Sequence, residues 1–559
     1  MPTPPPIPRS RLAAYAAVIT LAALASFPSL GNGFALDDLP IVADNPAVHS
    51  LDHLFRLFGL PYWPPRFGVS LYRPVLTSAF ALQWSVANGA PWVFHATNII
   101  LYAALSAVVL GLLRQLLPPA AAFAAGALFA VHPVHVEAVG NVVGQGELIT
   151  SIAAVAAVVS YIQGRRNGRI SVTRVTLIGT LFAVACFCKE HGLLLPALLV
   201  AVELLVIRDD AHQPIPLTRR VRDTAGLFTT LAAIGAGYVL ARTAVVGGVL
   251  GERHLVPIFG LRRVWVMLAV TPHWVRLLAW PAHLSADYSP PQIALPEGPG
   301  LEVMLGAIVI AVTAIAFVAL GRGDATSQRE RAGARLGIAS LAITMLPVTN
   351  LFSVMVIAER TLLLPSVGAM VIVGAIAAAA LRRASSTRHA DLTKLSLATA
   401  TAVLLTLGAV RSRSRQLVWR DDATLFAQTV EDAPRSYRAQ FLYGEMLFEQ
   451  GKRGEGERRL RLAIALNPTP SDVSPLNYLA TEYRDAGMCA QALPLYRNAI
   501  ANDPARPDVR YGLAECLRAT GRRDEARHLA AEGSQRGDLR TLFDGLLARI
   551  DSTTAAHSH

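Results

Sequence analysis

The sequence predicts an all-α protein built in two parts: a polytopic transmembrane helical bundle of about eleven spans, then a tetratricopeptide-repeat α-solenoid. Three observations predict it. The 559 residues are 53% hydrophobic and only 16% charged, with a mean hydropathy of +0.41, and the apolar residues come in blocks long enough to cross a bilayer. Basic loops alternate along the chain with loops of unusual polar composition. Beyond residue 411 the apolar blocks give way to helical periodicity, with Pro434, Pro468 and Pro504 spaced 34 and then 36 residues apart, the period of tetratricopeptide units.

Residues 1–11, MPTPPPIPRSR, read as a short cytoplasmic leader. The apolar run that follows could pass for a signal peptide, but FPSLGNG at its end offers no A-x-A site, so a retained anchor helix is expected. Apolar runs of about 17 to 22 residues place spans near 12–30, 92–113, 119–133, 147–163, 174–188, 191–207, 224–244, 301–321, 334–351, 361–381 and 394–410. Charge sets their direction, because the basic segments 165–174, 208–222, 321–335 and 381–394 all fall on one side when the N-terminus is cytoplasmic. The Trp-containing stretch 262–281 is apolar, yet a full span there inverts every later loop, so it reads as a re-entrant or interfacial helix. The formal charge of +12 resides in these orienting loops and not in a Lys/Arg stripe with interleaved aromatics, so no nucleic-acid partner is expected. Four cysteines exclude a disulfide scaffold; Cys186 and Cys188 read as small core residues, and Cys489 and Cys516 can pair only through a repeat-to-repeat contact.

The loops on the other side carry the unusual residues. Asp37 and Asp38 lie in GFALDDLP at the start of the first extracytoplasmic loop, 31–91, and Arg73 in LYRP near its end. His132, His135, Glu137 and Glu147 lie in HPVHVEAVGNVVGQGE, and Lys189, Glu190 and His191 in KEHG. Asp287 and Tyr288 follow in HLSADYSPP, Glu359 and Arg360 in AER. Ionisable groups at helix mouths are expensive unless paired or functional, so six such clusters on one face predict a shared cavity opening outward. Taken singly, each is also compatible with a solvated loop end. His132, His135 and Glu137 carry ligand-type side chains and leave a divalent cation possible; a His–Glu pair that shapes the loop is the plainer account, and no metal or other cofactor is required. Asp287 and Tyr288 fit a capping turn as well as a cavity wall.

The soluble part divides into a linker, 411–419, repeats over 420–545 and a disordered tail, 546–559. LFAQTVEDAP (425–434) reads as a lone second helix capping the array. Gly444 and Ala463, then Ala480, Tyr483, Ala492, Tyr496 and Ala499, then Ala514 and Ala526 fall at the small and aromatic positions that let paired helices approach. Such arrays have no chemistry of their own and read as a docking module, here outside the cytoplasm.

In order along the chain, DD after the first span, YRP, HPVHVEAV with a downstream GQGEL, KEHG, LSADYS, LPVTNLF with AERTLLLPSVG, WRDDATLF and the repeats resemble the transmembrane and tetratricopeptide repeat-containing O-mannosyltransferases of the GT-C superfamily. The match covers nearly the whole chain. Two departures stand out: Gln145-Gly146-Glu147 where the family commonly has Arg-x-Asp, and Leu363 where it commonly has Tyr. Compact loops and Ala/Arg-rich usage look prokaryotic, which favours a polyprenyl-phosphate carrier of the bacterial type over dolichol.

The resemblance implies a GT-C-type membrane glycosyltransferase that moves a hexose, mannose first, from a lipid phosphate to Ser or Thr hydroxyls of a protein held by the repeats. A hydroxyl needs its proton accepted at the transition state, a role for Asp37 or Asp38, while the other holds the loop, binds sugar hydroxyls or pairs with a nearby cation. The departing phosphate needs cationic donors, for which Arg360, Arg73 and Lys189 are the candidates. Glu359 and Glu190 each neighbour a cation and are expected to pair with it; His191 and Glu147 support them. A lipid or cell-wall glycan as acceptor, a transporter or flippase with a docking module, and a non-catalytic scaffold are the competing readings.

Overall fold

The computed structural model describes residues 9–52, 54–64, 71–209, 213–248, 260–322, 328–349, 357–385, 390–467, 472–535 and 539–555. They form two compact units: Met1–Ala286 with Pro296–Leu425, and Asp287–Leu295 with Phe426–His559. The first unit holds α1 (Arg9–Ser26), α2 (Pro74–Ala87), α3 (Pro91–Leu116), α4 (Pro119–Ala130), α5 (Val136–Gly140), α6 (Gln145–Arg166) and α7 (Val172–Cys188). It continues through α8 (Leu195–Leu205), α9 (Leu217–Val246), α10 (Leu261–Ala279), α11 (Leu301–Ala319), α12 (Gln328–Met345), α13 (Leu363–Ser385) and α14 (Ala390–Gln416). Proline opens α2, α3 and α4, where its missing N–H costs nothing and its fixed φ suits the first turn.

Among the described residues seven helices are long and apolar enough to cross a membrane, and eight if the bent pair Pro119–Ala130 and Pro133–Gly140, with its 44° bend, is one span. This unit is an integral membrane domain. Each of the eleven predicted segments carries a described helix; eight of them supply these spans, and the other three hold the shorter or more polar α7, α8 and α12. The chain breaks at Lys189, leaving α7 with 17 residues and α8 with 11, and 11 residues of helix rise only about 17 Å against a core of about 30 Å. α12 begins among Arg329, Glu330 and Arg331. The stretch expected to be interfacial is α10, which carries Arg262, Arg263, Arg276 and an internal Pro272 and is not among the spans. The expected linker 411–419 is instead helical, since α14 runs on to Gln416 and a 3₁₀ turn covers Leu417–Trp419.

α3, α6 and α13 run side by side in the same sense. Their C-terminal ends share a basic zone, where Arg166 and Arg329 both donate to the Gln115 carbonyl at 2.9 and 2.8 Å and Arg382 pairs with Glu330. α12 and α13 cross at Gly337 and Gly368, where a Cβ on Gly368 stands 2.7 Å from the Gly337 carbonyl. That close approach helps to frame a small apolar pocket lined by Leu112, Val158, Val202, Leu364, Val367 and Val371 among others.

The second unit holds the remainder of α15 (Asp422–Asp432), whose first turn belongs to the first unit, and then three helical hairpins. These are α16 (Tyr437–Glu449) with α17 (Arg453–Leu466), α18 (Ser474–Asp485) with α19 (Cys489–Asn502), and α20 (Pro507–Ala519) with α21 (Arg523–Gln535). Ala463, Ala480, Ala492, Ala499, Ala514 and Ala526 are all buried at the helix crossings, and Gly444 leaves room for Leu460. Pro468 lies outside the described residues. Cys489 and Cys516 are joined as a disulfide between α19 and α20. The tail expected to be disordered from 546 is helical to Ala555 as α22 (Arg540–Ala555), because Phe543, Leu546 and Ile550 form an apolar stripe that caps the array.

Candidate active site

The first loop is not an open loop. Asn32 donates through Nδ2 to the Gln416 carbonyl at 2.8 Å, Gly33 N–H to the Arg420 carbonyl at 2.8 Å and Leu36 N–H to Asp422 Oδ1 at 2.6 Å. The WRDDATLF segment therefore splints the chain directly ahead of the two aspartates. Leu36 adopts a left-handed φ of 54°, a costly state for a branched side chain that the Asp422 bond helps to hold. The turn sends Asp37 and Asp38 in different directions.

Asp38 is 1% exposed. Its carboxylate accepts the N–H groups of Val143 at 2.9 Å, Val142 at 3.1 Å and Ala35 at 3.4 Å. Burial pushes its pKa up to about 7 against the opposing pull of those three amides. It fastens the first loop to the start of the Val142 turn. The Asp37 side chain, 17% exposed, instead lies 3.3 Å from Arg360 Nη2. Arg360 in turn donates through Nη1 to Glu137 Oε1 and through its backbone N–H to Glu137 Oε2, both at 2.9 Å. The buried Glu137 thus fixes the guanidinium that Asp37 touches.

Lys189 pairs with Glu147, and His191 Nδ1 stands 4.0 Å from the other Glu147 oxygen. Burial draws the Lys189 pKa down. Arg73 donates through Nη2 to Glu190 at 2.9 Å, and Arg242 reaches the other Glu190 oxygen at 3.4 Å. Burial opposes ionisation of Glu190, but Arg73, its hydrogen bond and Lys189 outweigh it and hold the carboxyl at about 2. Arg360 feels the charges of Glu137, Asp37, Glu147 and Arg73, so these pairs form one electrostatic cluster. α6 and α13 both begin here, with the positive ends of their dipoles toward it.

Several expected pairings are corrected. Glu190 serves Arg73 and not its neighbour Lys189; Glu359 accepts the Ser285 N–H at 2.7 Å, while the carboxylates on Arg360 are Glu137 and Asp37. Adjacent side chains on a tight turn diverge, which is why sequence neighbours are not the partners. Asp287 and Tyr288 belong to the second unit. There Asp287 accepts the Ser289 N–H at 2.7 Å and the Ser436 hydroxyl at 2.6 Å, a turn bound to the N-cap of α16. His132, His135 and Glu137 do not aim at one point. His132 Nε2 meets the Leu278 carbonyl at 3.0 Å, His135 meets the Tyr102 hydroxyl and Ser366 Oγ at 2.8 Å each, and both Glu137 oxygens face Arg360. Arg242, Asp422 and Tyr62 escaped sequence reasoning; only Asp422 had a signal, in the quoted WRDDATLF.

The fold and site define an all-α integral membrane protein with a tetratricopeptide-repeat unit and a charged cluster at the mouths of its helices. A tetratricopeptide repeat family model matches residues 483–550. The chain is similar to the protein O-mannosyl-transferase TMTC3 of Mus musculus, 27% identical over 447 residues that cover 74% of this chain and 47% of the relative. It is 26% identical to the protein O-mannosyl-transferase TMTC4 of the same organism over 481 residues, 76% of this chain and 62% of the relative. With the protein O-mannosyl-transferase Tmtc3 of Drosophila melanogaster it shares 25% over 577 residues, 90% and 60% of the two chains. The chain's relatives are thus members of the transmembrane and tetratricopeptide repeat-containing O-mannosyltransferase family. It spans between about half and two thirds of the length of these relatives. They are animal proteins and lend the prokaryotic reading no support.

Proposed function

We propose that this protein is a membrane glycosyltransferase that moves a hexose, mannose first, from a lipid phosphate to Ser or Thr hydroxyls of proteins at the extracytoplasmic mouth of its helices. The observation that carries the assignment is the Asp37–Arg360–Glu137 bridge. Glu137 is buried and committed to Arg360 at two points, whereas Asp37 is reachable and makes one longer contact. An arriving phosphate replaces Asp37 on the guanidinium, since Arg binds phosphate oxygens bidentately. Asp37 is then free beside the sugar carbon that the phosphate delivers. The acceptor hydroxyl attacks that carbon as the carbon–phosphate oxygen bond breaks, its proton passes to Asp37, and the lipid phosphate leaves on Arg360 with Lys189 and Arg73 nearby. One displacement inverts the anomeric centre.

A small apolar pocket on α13 offers a lipid-linked donor an apolar wall. Leu364, Val367 and Val371 line it and follow Arg360 by 4, 7 and 11 residues, so it lies about 6 to 16 Å further along α13. The Cys489–Cys516 disulfide favours an oxidising, extracytoplasmic compartment for the repeats, where they select or hold the protein acceptor. The relatives' names as protein O-mannosyl-transferases agree with this chemistry. The test is transfer by the purified full chain in lipid vesicles from mannosyl-phosphoryl-polyprenol to a Ser/Thr peptide, read by mass spectrometry. Hexose on the peptide supports the proposal; hexose only on an added lipid or glycan acceptor moves the acceptor class; none on any acceptor rejects it.

A further inference from the structure

Among the described residues three buried polar atoms of the cluster have no hydrogen-bond partner: the Tyr62 hydroxyl, Arg73 Nε and His191 Nδ1, the last of them 4.0 Å from Glu147. The Tyr62 side chain is buried, the residue being 2% exposed, and its hydroxyl has no hydrogen-bond partner among the described residues. Arg73 lies over the Tyr62 ring at 4.8 Å to the centroid. Its Nη2 is bound to Glu190, yet its buried Nε is unpartnered too. A buried donor without an acceptor is costly, so the two that lie beside one another, on Tyr62 and Arg73, call for a missing partner. Tyr62 belongs to one apolar cluster with Ile41, Val42, Leu76 and Phe80 and its backbone N–H donates to the Leu71 carbonyl at 2.7 Å, so the hydroxyl has little freedom to find a partner elsewhere.

The missing partner must accept. Arg73 Nε has only a proton to give, and Arg73 covers the Tyr62 ring, so that face is closed to a stacking sugar. Tyr62 also feels Asp37, Asp38 and Arg360, which sets it inside the same cluster. We infer that the Tyr62 hydroxyl, with Arg73 Nε, donates to an oxygen of the lipid phosphate held by Arg360, and so stabilises the phosphate as it departs. This rests on the proposed function and adds to it a residue that no motif marks. Burial raises the phenol's pKa, so the group stays a donor at neutral pH. The leaving phosphate gains negative charge as its bond to the sugar breaks, and a donor there counts most when charge develops.

The test is Tyr62→Phe in the full chain, reconstituted in nanodiscs whose bulk phospholipid sets the baseline. Affinity is measured for sugar-free polyprenyl monophosphate and for the mannosylated donor, with Arg360→Gln as comparator. Phe keeps the ring, the Arg73 contact and the core. The expected result is about 10- to 100-fold weaker binding of the sugar-free phosphate, the scale of one hydrogen bond to a charged group, with an unliganded melting temperature equal to or above wild type. A lower melting temperature means the hydroxyl serves the fold, and overturns the inference. A loss confined to the mannosylated donor means the hydroxyl reads the sugar, which also overturns it. Unchanged affinity in Tyr62→Phe with loss in Arg360→Gln defeats this inference alone, and unchanged affinity in both defeats the phosphate site itself.

Discussion

Substituting Asn at each of the paired aspartates separates catalysis from architecture. Asp37→Asn removes the basic oxygen from a side chain that is 17% exposed and makes one contact, at 3.3 Å, with Arg360. A partly exposed pair of this kind contributes about 0 to 1 kcal/mol, so stability stays near wild type while turnover falls by about 10² to 10⁴, the scale of a lost general base. Asp38→Asn does the reverse. Three N–H groups converge on its two oxygens, and an amide offers one acceptor and one NH₂. With the oxygen kept on Val142 and Ala35, the NH₂ meets the Val143 N–H, which retains only Asn141 Oδ1 at 3.2 Å. The cost is about 1 to 3 kcal/mol, and residual activity per folded molecule falls by less than tenfold. The two variants also differ in pH response. The native Asp38 carboxyl sits at about 7 against 3.8 in the unfolded chain, so the native state holds the extra proton between those values. Wild-type stability therefore falls as pH rises from about 4 to about 7, and Asp38→Asn abolishes that slope while Asp37→Asn retains it. Turnover under saturating donor and thermal unfolding across pH 4 to 8 measure both. A stable, inactive Asp38→Asn alongside an active Asp37→Asn refutes the assignment.

Arg360→Lys keeps the charge but cannot hold Glu137, Asp37 and a phosphate in one planar fork; KM for the lipid donor should rise at least about tenfold, and an unchanged KM removes Arg360 from phosphate binding. Cys489→Ser opens a loop whose ends are 27 residues apart, so chemical denaturation of the repeats should begin about 3 to 4 kcal/mol earlier, and thiol labelling of the native chain should find Cys489 and Cys516 blocked. A chain ending at Trp419 loses the Arg420 and Asp422 bonds to Gly33 and Leu36 and should transfer poorly even to short peptides. A chain ending at Pro434 keeps them, and should retain peptide transfer while losing transfer to whole proteins; equal protein transfer demotes the repeats to an assembly role.

The helices were legible because apolar runs and the 34-residue period each report a covalent pattern that local structure repeats. Boundaries were less so. The polar KEHG divides 174–188 from 191–207 and the chain breaks at Lys189 as that division predicts, but nothing in the hydropathy shows that α8 covers only 11 residues. The tail read as disordered has few apolar residues, but two of them, Leu546 and Ile550, share a helical face with Phe543 just ahead of it and find the last repeat. Counting residues missed what spacing encodes.

The site was legible as a set and illegible as a geometry. Six motifs named almost every charged member of the cluster, since a charge at a helix mouth is conspicuous wherever it points. Which charge meets which is decided by turns that the motifs do not describe. Asp37 and Asp38 are chemically identical and adjacent, and only the left-handed Leu36, held by Asp422 from 386 residues away, sends one to three backbone amides and the other to Arg360. Tyr62 shows the converse limit: an uncharged residue in a loop, invisible to any count of ionisable groups, becomes significant through what its hydroxyl lacks. A search of the sequence for catalytic groups finds donors and acceptors by their type, whereas an unsatisfied pair of donors such as Tyr62 and Arg73 exists only once the chain has folded.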